Sequence, residues 1–137
     1  MPNTKHTGDV TEARILHELL RRGHGVSIPF GDNDPYDLVV MVGGELLAVQ
    51  CKTGWNESGR LRFKTGSKTT VDGEPVVVDY GDEVDVFAVR SRDSGDLYWV
   101  PAADTGRKST YLRLDAPTID HPSVKRAADY TFDRRLP

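Results

Sequence analysis

Three polar residues interrupt strands that are otherwise apolar enough to be buried, Asp37 in DPYDLVVMV and Gln50 and Lys52 in ELLAVQCKT, and a fourth, Glu12, falls within the apolar arc of TEARILHELL. A polar group on a buried element costs free energy unless it is paired or used. Carboxylate and amide oxygens are hard donors that suit a divalent cation such as Mg2+, which keeps several of its waters. The backbone carbonyl of Cys51 is a further candidate ligand. Such a cation polarises a scissile phosphate and supplies or orients hydroxide. Lys52 would hold the attacking water or offset charge building on the phosphate. The competing reading is a buried Lys52–Asp37 ion pair that closes a polar pocket.

These residues need a scaffold. Tyr36 to Val42 and Glu45 to Thr53 read as two strands joined by Gly43-Gly44, a two-residue hairpin connector. Period-two alternation puts Asp37, Val39 and Met41 on one side of the first strand. Leu46, Ala48, Gln50 and Lys52 share one side of the second, and Cys51 turns the other way, into the core. Thr7 to Arg22 reads as a helix capped by Thr7 or Asp9 and ended by Gly23. At 100° per residue Ala13, Ile15, Leu16, Leu19 and Leu20 form an apolar arc, opposite Arg14, His17, Glu18, Arg21 and Arg22. Glu12 falls inside the arc. Either it faces the sheet face of Asp37, Gln50 and Lys52, or it sits in a frayed first turn and reaches solvent.

Further strands are expected at Gly25 to Phe30, Arg60 to Lys64 within a long loop, Pro75 to Tyr80, Val84 to Arg90, Leu97 to Val100 and Thr110 to Leu114. A small helix is expected at Ser123 to Tyr130, followed by a loose tail. In Arg60 to Lys64 the basic residues Arg60, Arg62 and Lys64 alternate with Leu61 and Phe63, and Lys68 continues the charge. This is the one dense basic segment without intervening acids, so it either tracks DNA phosphates or is a solvated face. Phe87, Tyr98 and Trp99 are candidates for a subunit interface or for core.

The 137 residues, 37% hydrophobic and 28% charged, describe one soluble domain rather than a disordered chain. A net charge of -3 does not advertise a nucleic-acid binder, so any such contact must come from a local patch. The lone Cys51 excludes an intrachain disulfide and a cysteine-based zinc site, and fits a reducing, cytoplasmic compartment. His6, His17, His24 and His121 lack ligand spacing. No apolar run is long enough for a membrane span, and the N-terminus lacks a signal peptide's apolar core.

Glu12 on an N-terminal helix, Asp37 opening one strand and Gln50-Cys51-Lys52 on the next resemble the PD-(D/E)xK nuclease superfamily. The chain departs from the usual pattern in having Tyr36 before Asp37, with Asp34-Pro35 just upstream, and Gln50 where relatives carry an acid. The QxK variant is similar to that of homing endonucleases encoded in group I introns; archaeal Holliday junction resolvases share the core and are the second neighbour. The resemblance spans roughly residues 8 to 104, leaving 105 to 137 as an extension within one 1–137 domain. It implies an α/β fold: a restriction endonuclease-like core with a central mixed sheet and the N-terminal helix packed on it. It implies a Mg2+-dependent DNA endonuclease, with Mn2+ as a substitute metal, that hydrolyses phosphodiester bonds. Asp37 is then the main metal ligand, Gln50 a neutral oxygen ligand, Lys52 the catalytic lysine, and Glu12 completes the metal shell. Two alternatives accompany it: a junction resolvase acting on branched DNA, and an inactive nuclease-fold binding module. Cutting both strands needs two centres, so a homo-dimer or homo-tetramer is expected.

Overall fold

The computed structural model describes residues 3–31, 33–79, 83–115 and 124–137, without the side chains of 67–71 and 75–79. Helix α1 (Thr4–Arg21) starts earlier than its apolar pattern suggests, because the Asn3 side chain caps it by accepting the Lys5 N–H at 2.9 Å. Two core anchors, Ile15 and Leu19, are fully buried. The buried stripe is rotated from the expected arc: Thr11 and Glu18 belong to it, whereas Leu20 is 54% exposed.

Strand β1 (Val26–Ser27) is shorter than expected, and β2 (Leu38–Val42) and β3 (Glu45–Glu57) form the expected hairpin. Its turn places Gly43 and Gly44 at φ 57° and 83°, where a side chain would be strained. β3 runs past the expected end at Thr53 and turns at Ser58-Gly59 into β4 (Arg60–Lys64), so the expected long loop is a second hairpin. β5 (Gly66–Val71) and β6 (Glu74–Asp79) form a separate two-stranded ribbon about Asp72-Gly73, both at positive φ. That Asp-Gly pair is a strong hairpin signal, and β5 lies where sequence reading expected loop. Tyr80, the expected end of its partner strand, lies outside the described residues.

β7 (Val86–Ser91) pairs parallel with β3 and antiparallel with β8 (Leu97–Pro101), while β9 (Ser109–Arg113) pairs antiparallel with β4. The result is a mixed seven-stranded sheet, β1 to β4 and β9 in a path with β7 and β8 branching from β3. α1 covers one face through Ile15, Leu19, Val49, Ala88 and Trp99. A second core around Leu61, Phe63, Phe87, Val89 and Leu112 fills the other. Phe87, Tyr98 and Trp99 are all core, 1–5% exposed, and do not form an exposed interface patch in this chain.

The C-terminal segment differs from expectation. A 3-10 turn at Ala127–Asp129 stands where a helix to Tyr130 was expected, and Ser123 lies outside the described residues. The tail is not loose: helix α2 (Phe132–Arg135), capped by Thr131, buries Phe132 and Leu136 in the first core. Phe132 meets Trp99 edge-on at 5.6 Å between ring centroids, which its neighbours Asp133 and Arg134 conceal in sequence.

Candidate active site

Asp37 sits immediately before β2 and is tied to β3 twice. Its N–H donates to the Val49 carbonyl at 2.8 Å, and its Oδ2 accepts the Cys51 N–H at 2.8 Å. The carboxylate is thereby fixed beside the Gln50–Lys52 segment. Cross-strand partners assign the faces. Gln50 pairs with Phe87 and Lys52 with Val89, both members of the second core, while Cys51 pairs with Ala88 of the first. Gln50 and Lys52 therefore point away from α1, and Cys51 toward it.

This corrects one expectation: α1 does not pack on the face carrying Gln50 and Lys52. Glu12 approaches from the opposite side, near enough for the Asp37 charge to act on it. The cluster thus straddles the sheet at the start of β2.

Burial dominates its electrostatics. Burial pushes the Glu12 carboxyl above its ordinary value, and the negative charges of Asp37 and Asp9 push it further. Burial also raises Asp37, opposed by the Cys51 N–H bond and the Lys52 charge. Lys52 is lowered by burial and by Lys64, against the pull of Asp37. The acids are held toward their protonated forms and the lysine toward its neutral one. A bound divalent cation would reverse this for the acids. By donor type, two carboxylates and an amide oxygen are what a hard divalent cation takes, with water completing its shell. Among the described residues no group of three or more His, Cys, Asp or Glu is assembled for a metal. Cys51 contributes no thiolate, since burial pushes its thiol well up and its side chain packs against the first core.

Beyond the cluster, β4 carries Arg60, Arg62 and Lys64 on one face, alternating with buried Leu61 and Phe63 as expected. Gly54 on β3 allows β4 to lie close, since a Cβ there would stand 2.8 Å from Leu61 Cδ1. The paired strand β9 adds Tyr111 opposite Arg62 and Arg113 opposite Arg60. The Arg60 guanidinium lies 4.2 Å from the Tyr111 ring centroid, and Arg62 lies 5.4 Å from Trp55 and 5.5 Å from Tyr111. Arg92 also stacks toward Trp55, at 5.9 Å. This interleaving of cations and rings holds planar guanidinium groups in fixed poses. Glu57 moderates the charge, bridging to Arg62 at 3.3 Å. Lys68 lies on β5, with its side chain outside the described residues.

Sequence reading missed Tyr111, Arg113 and Arg92. The alternation in STYLR puts Tyr111 and Arg113 on one face, but only the β4–β9 pairing joins that face to Arg60 and Arg62.

No curated protein sequence matches the chain. Among solved structures, a bacterial homing endonuclease, I-Ssp6803I, is similar, at 26% identity and a TM-score of 0.78, covering 98% of this chain and 92% of that one. The family model for PD-(D/E)XK endonucleases matches residues 2–133. That match takes in the helix bearing Glu12, the Asp37 strand start, the Gln50–Lys52 strand and the basic β4–β9 face alike, and with it the chain belongs to the PD-(D/E)XK endonuclease family.

Proposed function

We propose that the protein is a Mg2+-dependent, homing-endonuclease-like enzyme that hydrolyses phosphodiester bonds in DNA. The observation that carries this reading is the Asp37 carboxylate fixed beside the Gln50–Lys52 segment through the Val49 carbonyl and the Cys51 N–H, where burial raises the carboxyls of Glu12 and Asp37 and lowers Lys52. Asp37 and Glu12 would hold the cation, with the Gln50 side chain and the Cys51 carbonyl as neutral ligands. When bound, Mg2+, or Mn2+ in its place, polarises the scissile phosphate and lowers the pKa of water.

The chain's own residues do the rest. Lys52, desolvated on the second-core face, keeps a proton only loosely, so it can orient the attacking water and screen charge as it grows on the phosphate. The Cys51 N–H fixes the Asp37 carboxylate, so little reorganisation is needed when DNA arrives. Arg60, Arg62 and Lys64, with Lys68 further along, receive the phosphate backbone. A symmetric homo-dimer or homo-tetramer supplies the second centre that a double-strand cut requires. The enzyme works on DNA in the cytoplasm.

One observation favours a competing reading. Gln50 removes a negative charge from the ligand set, as a nuclease fold retained only for binding would. The two are separated by incubating the protein with plasmid and with four-way junction DNA, with and without Mg2+. The enzyme reading expects Mg2+-dependent cleavage that Asp37→Ala and Lys52→Ala each abolish, and preference for the junction would mark a resolvase. Uncut DNA in every condition, or full activity in both variants, refutes the enzyme reading.

A further inference from the structure

Between α1 and the sheet runs a chain of three hydrogen-bonded polar side chains, beside the apolar contacts of Ile15 and Leu19. The Thr11 hydroxyl lies 2.6 Å from the Thr53 hydroxyl, and Arg90 Nε donates to Thr11 Oγ1 at 2.9 Å. Thr11 is 1% exposed. Thr53 and Arg90 face each other in the parallel β3–β7 register. Each member adjoins the cluster: Thr11 precedes Glu12, Thr53 follows Lys52, and Arg90 follows Val89, the partner of Lys52.

Apolar contact is non-directional, so Ile15 and Leu19 alone leave the helix free to slide or roll by fractions of a turn. Hydrogen bonds fix both, because they fail when misaligned. Buried hydroxyls need partners, so valine would be the simpler residue at position 11 if only packing mattered. With Thr11 pinned to the sheet, the next residue is turned 100° around the helix axis, so the angular position of Glu12 is set as well. We propose that Thr11, Thr53 and Arg90 form a positioning clamp that holds Glu12 against Asp37 and thereby sets the affinity of the metal site. This rests on the metal-dependent reading above. None of the three is a catalytic residue.

The test titrates Mn2+ calorimetrically into the full-length wild type, Thr11→Val, Thr11→Ser and Arg90→Met, after a thermal melt shows each is folded. Groups that orient metal ligands are typically worth about 10- to 100-fold in metal affinity. Thr11→Val and Arg90→Met should bind Mn2+ about tenfold more weakly, and Thr11→Ser, which restores the hydroxyl, should bind as wild type does. Binding to duplex DNA in metal-free buffer should be unchanged throughout. A folded Thr11→Val that binds Mn2+ like wild type overturns the clamp and leaves the nuclease reading intact. Wild type that binds no Mn2+ overturns the nuclease reading instead, and the clamp's role with it. Should Thr11→Val fail to fold, Thr53→Val makes the same measurement from the strand side, with the same two outcomes.

Discussion

Helix α1 carries two partly or wholly buried glutamates, and the protein treats them oppositely. Glu18, 8% exposed, accepts Arg21 Nε on both oxygens at 2.8 Å, with Arg22 Nε at 3.7 Å from Oε2. The Arg21 hydrogen bond, joined by the charges of Arg21, Arg22 and Arg14, outweighs burial and holds its carboxyl below the ordinary range. Glu12, about one and two-thirds turns earlier, is acted on by influences of a single sign, burial and the acids Asp37 and Asp9, all raising it. One carboxylate is neutralised within the chain. The other, in the function proposed above, would be neutralised by the bound cation. Buried charge that serves only stability is paired inside the fold, so the one-sided environment of Glu12 points to use.

The largest expected effect sharpens this contrast in catalysis. Asp37→Ala should reduce DNA cleavage at least about 1,000-fold, whereas Glu18→Gln, measured in the same plasmid assay, should stay within about twofold. Equal losses would erase the distinction between the two carboxylates. Glu12→Gln keeps shape but removes one charge from the ligand set. It should raise the Mg2+ concentration for half-maximal cleavage about tenfold, read from a metal titration of the rate.

How much of this contrast was legible beforehand follows from locality. Asp37, Gln50 and Lys52 lie on adjacent strands joined by Gly43-Gly44, so alternation and a short turn were enough to bring them together. The face chosen by α1 was not legible. The helix rotated so that Thr11 and Glu18 entered the buried stripe, because each finds a partner, Thr53 and Arg90 for one and Arg21 and Arg22 for the other, that no hydrophobic pattern encodes. The pairing of β9 with β4, which joins Tyr111 and Arg113 to the basic face, is likewise a long-range choice. The buried tail residues Phe132 and Leu136 were hidden because they flank a charged run, Asp133 to Arg135, in a chain end that reads as loose.

Smaller effects test the same comparison through stability. Asp37 is raised above its ordinary value near 3.8, so protonation favours the folded state. In metal-free buffer the stability this contributes is complete below the ordinary value and is lost as pH rises through the raised one. Asp37→Asn, which cannot ionise, should therefore melt higher than wild type at neutral pH. Glu18 has the reverse sign. Its stabilisation is present above the ordinary carboxyl range and lost as pH falls through its depressed value, so Glu18→Gln should destabilise at neutral pH by about 1 kcal/mol. Thermal melts from pH 3 to 8 check both, and shifts of the same sign would break the contrast.

The smallest expected effect concerns the stacked arginines. Arg60→Ala and Arg62→Ala should each weaken duplex binding modestly, and each should reduce the slope of log affinity against log salt by about one. An unchanged slope would remove the β4–β9 face from the DNA path.

Calorimetric titration of Mg2+ asks whether Glu12 and Asp37 together bind a divalent cation. Wild type and Glu18→Gln should bind Mg2+ with equal affinity, more tightly as pH rises through the raised carboxyl range, and Asp37→Asn should not bind it. Wild type that takes up no Mg2+, or Asp37→Asn that binds as wild type does, would contradict this prediction.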